Sequence, residues 1–328
     1  MIVYHPDYQK HILSPGHPES PKRLRGIVER LKKEELFNVL SPEKASAEQI
    51  SRVHDIDYIN TIKNAGFIDF EAPVHKETFD IASLAAGGTI TAAKYAFENK
   101  KPVFALVRPP GHHSGKDYGG GFCYFNNAAV GVKNLNKKTA IIDIDLHHGN
   151  GTSDIFYEDS DVLYISTHQT GIYPGTGRIE ETGKGNGEGF NMNIPFPSGC
   201  GDKSFDLAFE KTIKPVVNQF SPEIIFVSFG GDAHYMDPLG GLSLSSLGYV
   251  SLCEKITNLA KNVCDSKLCF VLEGGYNVDA LSEVVAGIVG FWHNKKMSYE
   301  FTNVNDNFDT GKRIVEKVMD VQKRYWEL

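Results

Sequence analysis

Ala140-Ile-Ile-Asp-Ile-Asp-Leu-His-His-Gly-Asn-Gly-Thr152 begins as a β-branched apolar run and ends in carboxylates, imidazoles and glycines. The apolar half predicts a buried strand over Ala140–Ile144. In extended backbone, residues two apart point to the same side, about 6.5 Å from one another at a rise of about 3.3 Å per residue. Asp143, Asp145 and His147 therefore share a face, and Asp145 and His147 are placed to reach one cation between them. Upstream stands Arg108-Pro-Pro-Gly-His-His-Ser114, so four of the twelve histidines fall within residues 112–148. A hydrophobic core has no use for such a cluster, whereas a metal-dependent hydrolase does.

Other apolar runs follow the same plan. Val103–Val107, Val162–Ile165, Ile224–Ser228 and Leu268–Leu272 read as strands. Ile81–Asn99, Lys203–Gln219 and Ser245–Asn262 carry helical periodicity. Leu24–Leu36 predicts an early amphipathic helix, and Thr310–Tyr325 a charged terminal one. This alternation predicts an α/β fold: one domain over residues 1–328, with a mostly parallel central sheet and helices on both faces. The longest stretch without a regular pattern is Gln169–Gly201, with Tyr173-Pro-Gly-Thr-Gly177 and the glycines of 183–189; it is expected to be an ordered loop that grips substrate.

Composition narrows the function. With 41% hydrophobic and 23% charged residues among 328, the chain has ample material for a core. No apolar run approaches the 18 to 20 or so residues of a spanning helix, and residues 1–30 contain no hydrophobic signal region. A cytoplasmic location is expected, with no membrane partner. The net charge of −7 and the lack of a basic block argue against direct nucleic-acid binding. Five cysteines with no Cys-x-x-Cys pair argue against disulfide scaffolding and a thiolate zinc site.

Three strand-like runs end in polar residues: Asp145-Leu-His147-His148-Gly, Gly230-Gly-Asp232-Ala-His234, and Glu273-Gly-Gly-Tyr276. Parallel sheets place ligand sites outside the carboxyl ends of their strands, so these segments are expected to converge. Asp145, His147 and Asp232 would then supply one nitrogen and two oxygen ligands to an open zinc site, which iron(II) or cobalt(II) would also fit. His112 and His113 follow Pro-Pro-Gly on a turn. One of them would move a proton between the attacking water and a leaving amine, with Asp143 and Asn150 as candidate orienting partners. Tyr276, freed by two glycines, would donate its hydroxyl to an oxyanion.

These segments together resemble the histone deacetylase family of the arginase–deacetylase superfamily. The resemblance runs in order through His17-Pro-Glu-Ser-Pro-Lys-Arg23, Arg108-Pro-Pro-Gly-His-His113 and Gly121-Phe-Cys-Tyr-Phe-Asn-Asn127. It continues through Asp143-Ile-Asp-Leu-His-His-Gly-Asn-Gly151, Tyr173-Pro-Gly-Thr-Gly177, Asp232-Ala-His-Tyr-Met-Asp-Pro-Leu-Gly-Gly241 and Glu273-Gly-Gly-Tyr-Asn277. Asn150 and the Asp-Pro-Leu-Gly-Gly stretch are similar to the class II branch and its bacterial and archaeal relatives.

The resemblance implies a zinc-dependent amidohydrolase that removes acetyl groups from amines. Asp145, His147 and Asp232 match the metal ligands, His113 the general base and acid, and His112, partnered by Asp143, the electrostatic histidine. Asn150 stands where class I relatives have Asp, so His113 should be less readily held cationic. Tyr276 matches the oxyanion tyrosine. Gly121, Phe122 and Tyr173 match the walls of an acyl-lysine tunnel, and Glu71 a rim acid that grips substrate. A structural potassium ion would use Asp143, Asp145, Ser166 and the carbonyls of His147 and Thr167, and Arg23 would lie near an inner acetate-release pocket.

The substrate implied is an acetylated lysine in a protein or peptide, or a small acetylated amine. Polyamine-specific relatives can carry an acidic residue at the position of Leu239, so leucine favours acyl-lysine. A binuclear manganese ureohydrolase would need further Asp ligands where this chain has His148 and Gly149. A non-catalytic acyl-lysine-binding protein would not require every catalytic position to be filled.

Overall fold

The computed structural model of the chain describes residues 1–302 and 304–328. Eight strands form one sheet: β1 (Ile2–Val3), β2 (Val39–Leu40), β3 (Val103–Ala105), β4 (Thr139–Asp143), β5 (Val162–Gln169), β6 (Asn191–Phe196), β7 (Ile224–Phe229) and β8 (Leu268–Leu272). Their order is β2-β1-β3-β8-β7-β4-β5-β6, and every pairing between them is parallel. β4, β7 and β8 are buried at every residue. Successive side chains point to opposite faces, so both faces are covered, and the strands read as continuous rather than alternating apolar runs.

Around the sheet lie α1 (Pro21–Lys33), α2 (Ala47–Ile50), α3 (Ile56–Lys63), α4 (Thr78–Asn99), α5 (Asn127–Leu135), α6 (Asn150–Phe156), α7 (Asp202–Ala208), α8 (Lys214–Phe220), α9 (Ser246–Cys264), α10 (Val278–Trp292) and α11 (Phe308–Gln322). The run expected as one helix over Lys203–Gln219 is α7 and α8 joined by a π-turn at Phe209–Ile213. Pro215 follows that turn; lacking an N–H, it cannot complete the regular ladder, and a widened turn accommodates it. The terminal helix expected over Thr310–Tyr325 is α11.

The expected loop Gln169–Gly201 is corrected in one respect, because it contains β6. This strand pairs only with β5 and forms the sheet edge, where Pro195 can sit without interrupting a central ladder. Its Asn-Met-Asn-Ile-Pro-Phe sequence is too polar to announce a buried strand. No helix among the described residues is long and apolar enough to cross a membrane. All five cysteines are buried and free.

One detail of the order positions the site. From β4 the chain proceeds outward to β5 and β6. It then returns to β7 on the other side of β4 and continues to β8. Neighbouring strands whose connections depart in opposite directions open a crevice above their carboxyl ends. β8, β7 and β4 are consecutive in the sheet, so the three polar segments emerge side by side.

Candidate active site

β4 ends at Asp143, and the backbone continues beyond the sheet through Asp145 and His147. Each carboxylate there accepts the amide two residues on: Asp145 N donates to Asp143 Oδ1 at 3.1 Å, and His147 N to Asp145 Oδ1 at 2.9 Å. These local bonds keep the segment ordered after its ladder has stopped and hold Asp145 and His147 on a common side. Asp232 arrives from the end of β7. One ligand-type atom from each of Asp145, His147 and Asp232 lies within 4.8 Å of the others. His147 Nδ1 is 3.3 Å from Asp145 Oδ1 and 3.2 Å from Asp232 Oδ2.

The glycines beside these ligands are there because carboxylates fill the space a side chain would need. A Cβ on Gly230 would stand 2.0 Å from Asp145 Oδ2, and one on Gly274 2.4 Å from Asp232 Oδ2. Backbone amides take the remaining carboxylate oxygens: Gly274 N donates to Asp145 Oδ2 at 2.8 Å and Leu146 N to Asp232 Oδ1 at 3.0 Å. Gly275, at φ +112°, brings its backbone against Gly231, where a Cβ would be 2.9 Å from the Gly231 Cα.

Two carboxylates and one imidazole concentrated here form a group able to hold a positive ion. Burial raises Asp232 to about 6, with Asp145 adding to the rise. Burial alone would raise Asp145 as well, but His112 and His147 outweigh it and hold that carboxyl well below the usual range. His147 is pushed up to about 10 because its bonds to Asp145 and Asp232 overcome burial. An N,O,O donor set with this geometry fits a divalent ion of the zinc, iron or cobalt kind.

His112 and His113 come from the loop after β3. Gly111 N and His112 N both donate to Glu273 Oε2, at 2.7 and 3.1 Å, which draws the loop over the end of β8. The two imidazole centroids are 4.1 Å apart, yet their surroundings bias them in opposite directions. His112 Nδ1 lies 3.1 Å from Asp143 Oδ2, and its Nε2 3.7 Å from Asp145 Oδ1. Burial would strip its proton, but Asp145 and Asp143 outweigh it and push it up to about 10. His113 is held well below the usual imidazole value by burial and by the charges of His112 and His147.

Asn150, the first residue of α6, fixes which nitrogen of His113 carries the proton. Tyr118 gives its hydroxyl proton to Asp154 and accepts Asn150 Nδ2 at 3.2 Å. Asn150 Oδ1 therefore faces His113 Nδ1 at 2.8 Å, so Nδ1 donates and Nε2 is left bare to accept a proton. Tyr118 and Asp154 were not foreseen: Asp154 stands one turn on from Asn150 in α6, but Tyr118, which joins them, comes from 32 positions away. Tyr164 also escaped notice; its hydroxyl donates to Asp143 Oδ2 at 3.0 Å.

The imidazoles face a cavity of about 280 Å³. Glu71, Gly121, Phe122, Tyr173 and Leu239 all line it, with Tyr276, His112, His113 and His147. Gly120 and Cys123 exchange backbone hydrogen bonds at 3.2 and 2.9 Å. Both residues between them have positive φ, +51° at Gly121 and +68° at Phe122, as a primed two-residue turn requires. This turn aims the Phe122 ring at the cavity, 6.0 Å from the Tyr276 ring. Gly121 has no room for a side chain: a Cβ would meet His113 Cδ2 at 2.5 Å and Tyr173 Cε1 at 2.9 Å.

Tyr276 is positioned through its backbone, with its N–H and that of Asn277 donating to Asp237 Oδ2 at 2.6 and 3.0 Å. Arg23 lies beneath it, with its guanidinium carbon 5.1 Å from the ring centroid. That side chain is buried and donates to Gly275 O (2.6 Å), Glu273 O (2.5 Å) and Glu19 Oε1 (3.2 Å), so it braces the tyrosine loop and does not line the cavity. The residues expected around potassium sit where β4 ends beside the middle of β5: Asp143 and Ser166 are register partners, and Thr167 Oγ1 donates to Asp143 O at 3.3 Å.

Residues 17–291 match the family described as histone deacetylase domain. The chain is 43% identical over 309 residues to a probable deacetylase of Archaeoglobus fulgidus, covering 88% of this chain and 86% of that one. It is 41% identical to histone deacetylase 10, chloroplastic, of Oryza sativa, over 95% of this chain and 78% of the other. The crystal structure of the HDA15 HD domain superposes with a TM-score of 0.90 at 30% identity, covering 99% of this chain and 94% of that one. A family match spanning both the loop with His112 and His113 and the segment with Tyr276, joined to that superposition, leads to one conclusion: the chain belongs to the histone deacetylase family.

Proposed function

We propose that the chain is a metal-dependent amidohydrolase that removes acetyl or other short acyl groups from lysine side chains of peptides. The observation that carries this reading is a pair of imidazoles with centroids 4.1 Å apart, His112 partnered by the Asp143 carboxylate and His113 by the Asn150 amide, beside a three-ligand cluster in a single aromatic-walled cavity. A divalent ion held by Asp145, His147 and Asp232 would supply Lewis acidity to the acyl carbonyl and to a water.

The protein's own groups do the rest. Phe122 and Tyr173 flank the aliphatic stem of the lysine. His113 accepts the proton of the attacking water at Nε2, and the Tyr276 hydroxyl donates to the oxyanion as the carbonyl carbon becomes tetrahedral. The amine then leaves with a proton from His113, while His112 remains cationic and contributes a positive field. A potassium ion among Asp143, Asp145, Ser166 and the carbonyls of His147 and Thr167 would steady this layer from below, and we place the work of the protein in the cytoplasm.

One observation favours a second reading. Glu71 puts a carboxylate in the cavity wall, which would suit the distal ammonium of an acetylated polyamine. Acetate release from acetyl-lysine peptides and acetylated polyamines, measured in parallel with and without a chelator, tests both. Peptide turnover that chelation abolishes is expected, with Tyr276→Phe slower by about 10²- to 10³-fold. Turnover that survives chelation would refute metal dependence, and full activity of His113→Ala would remove the acid–base assignment. Faster release from polyamines would move the substrate to small amines.

A further inference from the structure

Phe67 and Phe70 are 69% and 91% exposed, on the segment that ends at Glu71 in the cavity wall. Their ring centroids are 5.1 Å apart in an edge-to-face arrangement. The backbone between and around them is fixed. Ile68 packs against Gly119, Ala72 is fully buried, Tyr124 donates to Pro73 O at 2.7 Å, and Glu71 N donates to Asp69 Oδ1 at 2.7 Å. The pair is thus held in water by an ordered segment. Two preformed aromatic rings kept exposed together are typical of a contact surface.

Its position relative to the cavity follows from Gly120. A Cβ there would stand 3.1 Å from the Tyr173 hydroxyl and 3.6 Å from Asp69 Cγ, so the aromatic segment abuts the tunnel wall. Asp69 and Glu71 place two carboxylates beside the rings on a chain of net charge −7. A lysine side chain that fills the tunnel leaves its neighbouring residues above this rim.

Resting on the deacylase reading, we propose that Phe67 and Phe70 form a subsite for the residues flanking the acylated lysine. The occupant is a peptide segment with a bulky apolar side chain and a basic one near that lysine. The rings receive the apolar side chain, and Asp69 and Glu71 attract the basic one. A small acetylated amine is too short to use this surface, so the pair selects peptides over metabolites.

The test compares wild type with Phe67→Ser/Phe70→Ser on three substrates: acetyl-lysine capped at both ends, a pentapeptide with Phe and Lys flanking the acetyl-lysine, and a glycine-flanked pentapeptide. Wild type is expected to favour the Phe/Lys peptide about tenfold in kcat/KM, through KM. The double variant should lose that preference and match wild type on capped acetyl-lysine. A preference that persists in the variant, or none in wild type, overturns the proposal. Fluorescence anisotropy with the same peptides, dye-labelled, separates the two layers of inference. Ring-dependent binding without acetate release would sink the deacylase reading and keep the subsite, whereas turnover with equal binding by both proteins would do the reverse.

Discussion

Glu19 is fully buried between two arginines, and replacing it with glutamine should cost the fold measurably. Arg108 contacts the carboxylate through Nε and, at 2.7 Å, through Nη2, while Arg23 Nη1 lies 3.2 Å away. Burial by itself would raise this carboxyl, but Arg108 and Arg23 outweigh burial and bring it from 4.5 down to about 2. A shift of that size corresponds to about 3 kcal/mol of stability at neutral pH. It falls at the low end of what removing one partner from a buried ion pair costs. The folded value is the depressed one, so the contribution is complete above about pH 4.5 and disappears as pH falls through about 2.

Thermal unfolding followed by circular dichroism from pH 7 to pH 3 reads this directly. Glu19→Gln should melt about 5 °C below wild type at pH 7, and the gap should shrink to about half by pH 3. Equal melting at pH 7, or a gap that stays constant in acid, would refute the reasoning. Arg108 also donates to Tyr8 O and His11 O at 2.7 and 2.8 Å, so the same cluster fastens the amino-terminal segment to the loop that carries the paired histidines.

Three further outcomes are expected. Glu273 accepts two buried amides, and burial raises its carboxyl to about 7; Glu273→Ala should lose about 2–4 kcal/mol in urea unfolding by orphaning them, while Glu273→Gln, which retains an acceptor, should lose much less. Tyr118→Phe removes the acceptor that orients Asn150, and steady-state kinetics should show a roughly three- to tenfold lower kcat with little change in KM. Gly121→Ala puts a methyl group against His113 and Tyr173 at a left-handed backbone position, and kcat/KM should fall at least about tenfold while metal content by atomic emission is unchanged.

The parts of the molecule legible in its sequence are those whose signal is local. Asp145 and His147 stand two apart in extended backbone, and β4, β7 and β8 announce themselves by short, mainly apolar runs rich in β-branched residues. β1 and β2 are two residues each, too short to register against their surroundings. α10 is buried without interruption from Ala280 to Gly290, and a buried apolar stretch does not by itself tell helix from strand. Asn150 could be nominated as a partner for His113, but its orientation is set by Tyr118, which comes from a separate loop 32 positions away and is held by Asp154 from the same helix as Asn150. Glu273 reaches Gly111 across 162 positions, a distance over which spacing carries no information.

The fit of Gly230 and Gly274 around the carboxylates divides the molecule into two strata with different freedom to vary. At Gly230 and Gly274 an added carbon would displace an acidic side chain, and at Gly231 and Gly275 it would meet Leu281 or the facing backbone, so one loop cannot be altered without its neighbours. The surrounding rim, built from Tyr173, Leu239 and the Phe67–Glu71 segment, bonds to none of those carboxylates. Libraries confined to that rim should therefore yield folded proteins with changed preferences, whereas libraries at the strand ends should yield mostly inactive ones. The route to new acyl-amine specificities runs through the outer stratum alone.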